Sequence, residues 1–363
     1  MNKLHSKRFG TLVSSILIIS SLSFAQLKNV DFMRISPSDG VKLLKAYISP
    51  WTNAFGAGLN GGWYNTAKPH KFGGFDITTS INIGMVPSSA ETYDISNLGL
   101  SSSISGTGLA PTVAGSTDNG PNLTYKVNGI NLASFNTPPG TNWKMIPVPT
   151  AQIGIGLPLG TELKLRYIPK ITMKNGDISL WGVGLMHSLI QYIPGNKMLP
   201  FDVSIFGGYT KLEGNVHLNL QPDATVIQNY TTGYLDSHPF DNQNLNVAVT
   251  ALNVGVIASL NLPVITFYGG LGYGKTNTGM AITGNFPIPV PVLTPAPHAE
   301  YNNIANSGSV IAGSAFKDLD IKNFSGLQAN IGLRIKLAVI TIHADYTKAQ
   351  YNVFSTGLGI SFR

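Results

Sequence analysis

The chain has 363 residues, of which 11% are charged, 40 are glycine and none is cysteine. Soluble domains average about 25% charged residues, so this composition argues against a soluble enzyme. Without cysteine, the chain has neither structural disulfides nor the anchor of a lipoprotein. Its formal net charge of +7 is small and shows no basic cluster, so nucleic acid is not a predicted partner.

Residues 1–25 have the parts of a secretory signal peptide. Lys3, Lys7 and Arg8 form a positive start, an uncharged apolar run follows, and Ser23-Phe24-Ala25 is a small-x-small cleavage site. A membrane anchor is disfavoured because the apolar run is shorter than the roughly 20 residues that a spanning helix needs. We predict export and removal of this segment.

Residues 26–72 differ from the rest of the chain and are predicted to form a plug, or hatch, in a barrel mouth. Ser36 to Asp39 can start a helix, Val41 to Tyr47 is a short amphipathic helix, and Pro50 ends it. A run rich in glycine and aromatic residues follows, which alternates poorly for a strand. The gate predicted within this plug consists of Trp63, Tyr64 and Asn65.

From residue 73 to the end, apolar and polar residues alternate in successive runs. This period of two places one face of each strand in lipid and the other inward. We count ten secure strands, and flanks at 51–64 and 91–98 would make twelve. The prediction is an all-β fold, an antiparallel transmembrane β-barrel of about 10–14 strands spanning 73–363, with a short N-terminal helical plug.

One uncharged run, Leu245 to Leu262, also has the hydropathy of a membrane helix. Asparagine, glycine and β-branched residues recur in it at period two, and Pro263 follows. That pattern favours a strand, although short apolar runs can be read either way.

The connections between strands differ in length on the two sides. On one side the turns near 159, 197, 263 and 337 are all short, and on the other side the predicted loops 88–142, 217–242 and 286–320 are long while the turns near 175 and 350 are short. In bacterial barrels short turns face the periplasm and long loops face outward. We therefore predict that the first strand starts in the periplasm and that all three long loops are external.

The last run, Phe354 to Phe362, is predicted to pair with the first strand and close the barrel. Its aromatic end resembles the C-terminal signature that the barrel-assembly machinery reads, although Arg363 leaves the aromatic residue in the penultimate position. The assembly machinery and outer-membrane lipid are therefore expected partners.

Several of these features together resemble the FadL-type long-chain fatty-acid channels. They are the signal peptide, the helical plug, the segment Trp63 to Ala67, the break at Val86-Pro87 and the turn Pro158-Leu159-Gly160. The chain also resembles an uncharacterised outer-membrane barrel family that shares the run Gly62 to Lys71. It departs from the FadL type in having Asn65-Thr66-Ala67 instead of Asn-Pro-Ala, and fewer than fourteen strands. The resemblance implies a Gram-negative outer-membrane location and passive uptake of a hydrophobic molecule.

Charged strand residues are predicted to point into the lumen, since facing lipid would cost about 2–4 kcal/mol each near the midplane. They are Glu162, Lys164, Arg166, Arg334, Lys336, His343 and Asp345. In one interpretation they pair with each other or with the plug. In the other, Arg166, Arg334 and Lys336 form a polar cluster that meets a carboxylate or phosphate.

An enzyme, a cofactor and a metal site are not predicted. His187 and Ser188 point to opposite faces of a strand, no Gly-x-Ser-x-Gly elbow is present, and no histidine spacing suits a metal. The apolar loop segment Phe286 to Leu293 either captures an apolar solute or packs over the mouth. Two functions stay open: uptake of a small hydrophobic or amphipathic molecule, and a structural or interaction barrel with a closed lumen. An apolar pocket or lateral gap beside the plug would favour uptake, whereas a filled interior would favour the structural role.

Overall fold

The structure is a computed structural model that describes residues 37–127, 130–173, 176–194, 200–217, 243–287, 310–312 and 319–362. The predicted signal peptide, the beginning of the plug, loop 217–242 after its first residue and the apolar segment beyond Pro287 lie outside these ranges. Within them, no helix is both long enough and apolar enough to cross a membrane.

Ten antiparallel strands close into a barrel, which confirms the predicted fold class. In chain order they are β1 (Phe75–Met85), β2 (Met145–Leu157), β3 (Thr161–Met173), β4 (Gly176–Ser188), β5 (Phe201–His217), β6 (Asn244–Asn261), β7 (Ile265–Thr283), β8 (Leu319–Leu337), β9 (Ile340–Lys348) and β10 (Val353–Phe362). Each strand pairs with its chain neighbours, and β10 pairs with β1 as predicted, with Phe75 opposite Phe362. The uncharged run is thus strand β6 and not a helix.

The two flanks that would have made twelve strands do not join the barrel. Most of 51–64 belongs to one long helix, α1 (Pro37–Asn60), and Thr92–Asp94 pairs with Leu109–Pro111 in a separate small sheet. The strand order of the closed barrel contains neither segment. The count therefore stays at the ten strands that alternate most regularly in the sequence.

Helix α1 corrects the prediction that Pro50 ends the helix. A proline inside a helix removes one backbone hydrogen bond, which disfavours it in an isolated segment. Here the proline is buried, the Ser49 hydroxyl donates to the carbonyl of Lys45, and the Thr52 hydroxyl donates to the carbonyl of Ser49 over 3.0 Å. Packing on all sides, which local sequence does not reveal, keeps the helix continuous.

The outer surface of the barrel suits a membrane. Exposed aromatic side chains form two groups, one towards each end of the barrel. Those near the short turns are Phe72, Phe75, Tyr192, Phe201, Phe267 and Phe362, and those near the long loops are Tyr167, Trp181, Tyr273, Tyr346 and Phe354. On β10, Phe354 and Phe362 are about 26 Å apart along the strand, which is about 20 Å along the membrane normal at the usual strand tilt and fits within the roughly 25 Å apolar band of outer-membrane barrels.

The inner face is not uniformly polar, which corrects the simple expectation of alternation. Near the long loops, the inward side chains of Leu245, Met280, Ile282 and Ile321 are buried and apolar. They pack in one cluster against Leu43 and Leu44 of α1 and against apolar residues of loop 88–142. A helix fills this half of the lumen, so its wall has the composition of a protein core.

Loop 88–142 is folded over the end of α1 and forms a cap. Besides the sheet mentioned above, its strands Ile104–Ser105, Asn122–Val127 and Ile130–Asn136 form a second sheet. The backbone amide of Val113 donates to the carbonyl of Tyr47, and the Tyr47 hydroxyl donates to the carbonyl of Pro139, at 2.9 and 2.8 Å. Burial raises the pKa of Tyr47 to about 12, so its hydroxyl remains a donor at physiological pH.

The seam between β1 and β10 makes a prediction about assembly. Phe362 packs its ring on that of Phe75, with 5.1 Å between centroids, across this seam. Replacing Phe362 by alanine should therefore lower the yield of heat-modifiable barrel in membranes more than Phe354→Ala, which removes an outward ring elsewhere on the same strand. Equal membrane yields of the two variants would contradict a special role for the C-terminal aromatic residue.

Candidate functional site

The chain that follows α1 passes down the lumen and places Trp63 against Arg166 of β3. The guanidinium carbon of Arg166 lies 3.7 Å from the centre of the Trp63 ring, and both side chains are 1% exposed. The Trp63 ring also lies against the barrel wall, where a Cβ added at Gly208 would come within 2.8 Å of it. Glycine at this position therefore leaves room for the indole against the wall.

Arg166 also binds the C-terminal end of helix α1. Its two terminal nitrogens donate to the carbonyls of Leu59 and Gly61, at 2.8 and 2.7 Å, and its Nε donates to Gln152 at 3.2 Å. The last carbonyls of a helix have no partners within the helix, and the C-terminus carries partial negative charge. The planar fork of arginine satisfies both needs at once. Arg166 therefore contacts the end of helix α1, the gate residue Trp63 and the wall residue Gln152.

Tyr64, the second gate residue, lies among aromatic side chains of the wall. Its ring is 5.5 Å from that of Phe206 and 6.3 Å from that of Tyr268. Tyr268 in turn donates its hydroxyl to Asp345 at 3.0 Å, and Asn330 donates to the same carboxylate at 2.8 Å. Asp345 is thus held by neutral donors of the lumen wall.

The three residues of the predicted cluster, Arg166, Arg334 and Lys336, make hydrogen bonds to different groups. Arg334 on β8 donates to Asn65, the third gate residue, and to Thr266, both at 3.2 Å. Lys336 donates to Ser361 at 3.3 Å. The cations thus contact the plug and the wall at separate places, which corresponds to the interpretation that interior charges satisfy the plug.

A buried ionic group lies near the short turns, and the sequence analysis selected two of its members, Glu162 and Lys164, but not His70 and Asp76. His70 lies between Glu162 and Asp76, with its Nδ1 3.0 Å and 3.7 Å from their carboxylate oxygens. Lys164 donates to the other oxygen of Glu162 at 2.5 Å, and the His70 backbone amide donates to Glu162 at 2.8 Å. These contacts fasten the end of the plug to β1 and β3. Since His70 and Asp76 come from other segments than Glu162 and Lys164, no spacing in the sequence could indicate that they join this pair.

The ligating atoms of His70, Asp76 and Glu162 lie within 4.8 Å of one another, close enough to share a metal ion. Both oxygens of Glu162 are already engaged, one by the Lys164 ammonium and the other by the backbone and ring of His70. The Lys164 ammonium supplies the positive charge that a cation would bring, and it engages one of the Glu162 oxygens that a metal ion would need. We call the group of His70, Asp76, Glu162 and Lys164 the ionic latch, because it holds the end of the plug to the barrel wall.

A small cavity lies beside the plug, between α1, Tyr64 and the β8–β10 wall. The space that the centre of a water molecule can reach in it is about 20 Å³, which suits one or two waters and no larger solute. Asn60 lines it, and within the described structure neither side-chain amide atom of Asn60 has a hydrogen-bond partner. The indole nitrogen of Trp63 is likewise buried without an acceptor there. Unpaired buried polar groups cost about 1–3 kcal/mol each, and a cavity of this size beside them has room for a water molecule.

The chain is similar to solved structures and matches one sequence family, whereas no curated protein sequence matches it. Among solved structures, it is similar to the translocator domain of the autotransporter NalP from Neisseria meningitidis, at 11% identity over 88% of this chain and 96% of that chain, with a TM-score of 0.29. The outer membrane protein OprG from Pseudomonas aeruginosa is 11% identical over 82% of this chain and 100% of its own, with a TM-score of 0.30. The toluene transporter TbuX of Ralstonia pickettii is 8% identical over 80% and 90%, with a TM-score of 0.20.

Likenesses at these TM-scores carry no argument about function. The match to a sequence family, in contrast, covers nearly the whole chain, since the model of one family spans residues 1–362. The protein therefore belongs to the family of unknown function DUF6588.

Proposed function

We propose that this protein is a closed-lumen barrel of a Gram-negative outer membrane, whose external cap is its working surface. The observation that carries the proposal is the filling of the lumen from end to end. Helix α1 packs under the cap at one end, Trp63 and Arg166 fill the middle, and the ionic latch of His70 closes the other end. A barrel whose lumen is filled in this way serves as a support for the cap.

The size of the apolar interface argues that the helix stays in place. Six large side chains of the plug are buried against wall and cap: Leu43, Leu44, Tyr47, Trp51, Leu59 and Trp63. Each contributes about 1.5–3 kcal/mol on burial, so together they hold the plug by on the order of 10 kcal/mol. Withdrawal of α1 as a routine gating step would have to overcome that free energy.

The cap is the part of the described structure that is built to face outward. Its two small sheets pack on helix α1. Between the cap and β2, the carbonyl of Trp143 accepts a hydrogen bond of 2.9 Å from the indole N–H of Trp51 in α1. A folded and supported loop presents a defined surface, as binding loops on rigid scaffolds do. In this proposal the cap binds a partner at the cell surface, while outer-membrane lipid covers the wall and the assembly machinery reads β10.

Passive uptake of a small hydrophobic or amphipathic molecule is the second candidate. The cavity beside Tyr64 favours it, because Asn60 and Trp63 offer unpaired groups there. Uptake would require the segment after α1 to move and enlarge this space. Catalysis is not proposed. Ser80 and His343 lie 3.5 Å apart in the lumen, but the carboxylate of Asp345 is hydrogen-bonded by Tyr268 and Asn330.

A disulfide that fixes the helix to the wall separates the two functions. A Cβ added at Gly58 lies 3.1 Å from the Cβ of Val148 on β2, so the pair Gly58→Cys/Val148→Cys can bridge after a shift of about half an ångström. In lipid vesicles we expect the wild type and the variant, oxidised or reduced, to pass neither potassium nor a charged fluorescent amphiphile above protein-free vesicles. Influx in the reduced variant that stops on oxidation would overturn the proposal in favour of uptake. The two single-cysteine variants control for effects of either substitution.

A further inference from the structure

The plug enters the lumen from the side of the long loops. The buried carboxylate of Asp39, in the first turn of α1, accepts hydrogen bonds from the backbone amide and the hydroxyl of Ser101 in the cap. Lys42 donates to the carbonyl of Gly99, also in the cap, at 2.5 Å. Leu43 and Leu44 then pack on the strand ends that adjoin the long loops. The first turns of the helix are therefore fixed at the loop end of the barrel.

The same chain leaves the lumen on the side of the short turns. Thr66 donates to Asn261, the last residue of β6, at 3.2 Å, and Lys68 lies 3.9 Å from Asp202 at the start of β5. His70 then reaches Glu162 at the start of β3. Strand β1 begins at Phe75 on this side and runs back toward the loops. The direction of the plug is thus opposite to that of the first strand.

We propose that the chain is threaded through its own barrel with the start of the plug outward, so that it enters the lumen at the external face beside the cap and leaves it on the periplasmic side. The first turn of α1 is then accessible from outside the cell. This inference shares with the proposed function only the outward orientation of the long loops.

The absence of cysteine from the sequence makes the test clean, because any single cysteine introduced is the sole target of a maleimide. Three exposed positions report the three relevant places: Ser38 in the first turn of α1, Ser102 in the cap, and Leu159 in the turn between β2 and β3. Variants Ser38→Cys, Ser102→Cys and Leu159→Cys are treated on intact cells with a membrane-impermeant maleimide. Permeabilised cells give the full signal of each.

We expect Ser38→Cys to label on intact cells to the same extent as Ser102→Cys, and Leu159→Cys to label only after permeabilisation. Labelling of Ser102→Cys with protection of Ser38→Cys would overturn the threading while leaving the proposed function intact. Exchanged behaviour of Ser102→Cys and Leu159→Cys would overturn the orientation, and with it both proposals.

Discussion

Replacing Arg166 by methionine is expected to lower the free energy of unfolding of the barrel by about 3 kcal/mol, because each buried acceptor that loses its donor costs about 1–3 kcal/mol. The substitution keeps an unbranched apolar side chain against Trp63 but leaves the carbonyls of Leu59 and Gly61 without the guanidinium. Urea unfolding in detergent, followed by tryptophan fluorescence and by heat-modifiable mobility, measures the change.

Lys170→Met is the matched control on the same strand, since Lys170 is exposed and its ion pair with Asp177 is a surface contact. Such pairs contribute about 0–1 kcal/mol, so this variant should unfold close to the wild type. Arg166→Lys should lie between the two, because an ammonium group keeps the charge but cannot reproduce the planar fork. Equal stability of Arg166→Met and Lys170→Met would show that Arg166 does not hold the helix.

Replacing Gly84 by alanine is expected to prevent α1 from lying against β1. A Cβ at this position would be 1.9 Å from the carbonyl oxygen of Ala54 in α1. Both groups belong to backbones, so no side-chain rotation relieves the overlap, and either the helix or the strand must move. Overpacking of a core commonly costs about 1–3 kcal/mol, and we place this variant at or above the upper end. The expected result is a clear loss of folded barrel, or a barrel with a displaced plug that conducts potassium.

Gly279→Ala on β7 is the control for this second prediction, because a Cβ there meets no atom within 4 Å. It should assemble and stay closed like the wild type. If Gly84→Ala also assembled in wild-type amount, with unchanged unfolding and no conductance, the close contact between helix and strand would be refuted.

The barrel was predictable from the sequence because the alternation of residues along each strand shows which side chains face lipid and which face the lumen. In β10, Phe354 and Phe362 face lipid while the intervening Ser355 and Ser361 are buried inside, and no distant information is needed to see this. The tight turn at Leu159 and Gly160 was equally visible, and both residues have the positive φ values, 59° and 61°, of a hairpin turn. Alternation and turn chemistry together fix the order and pairing of the strands.

The interior was less predictable because its partners are far apart in the chain. Trp63 and Arg166 were each selected as site residues, but their contact spans more than a hundred residues and leaves no spacing to recognise. Pro50 appeared to end a helix only because the surrounding wall, which holds that turn, is invisible to local sequence. Likewise, Leu245 and Ile321 look like ordinary strand residues until α1 supplies the core that they face.

The pairing of β1 with β10 has a consequence for the order of events in assembly. Their pairing closes the ring of ten strands, and helix α1 lies inside that ring. A rod between a folded cap at one end and a buried ionic group at the other does not slide easily into a finished ring. We therefore expect helix α1 to enter before β1 and β10 pair, and to leave only after that pairing opens or the cap unfolds. The lifetime of the plugged barrel would then depend on the rate at which the pairing of its first and last strands opens.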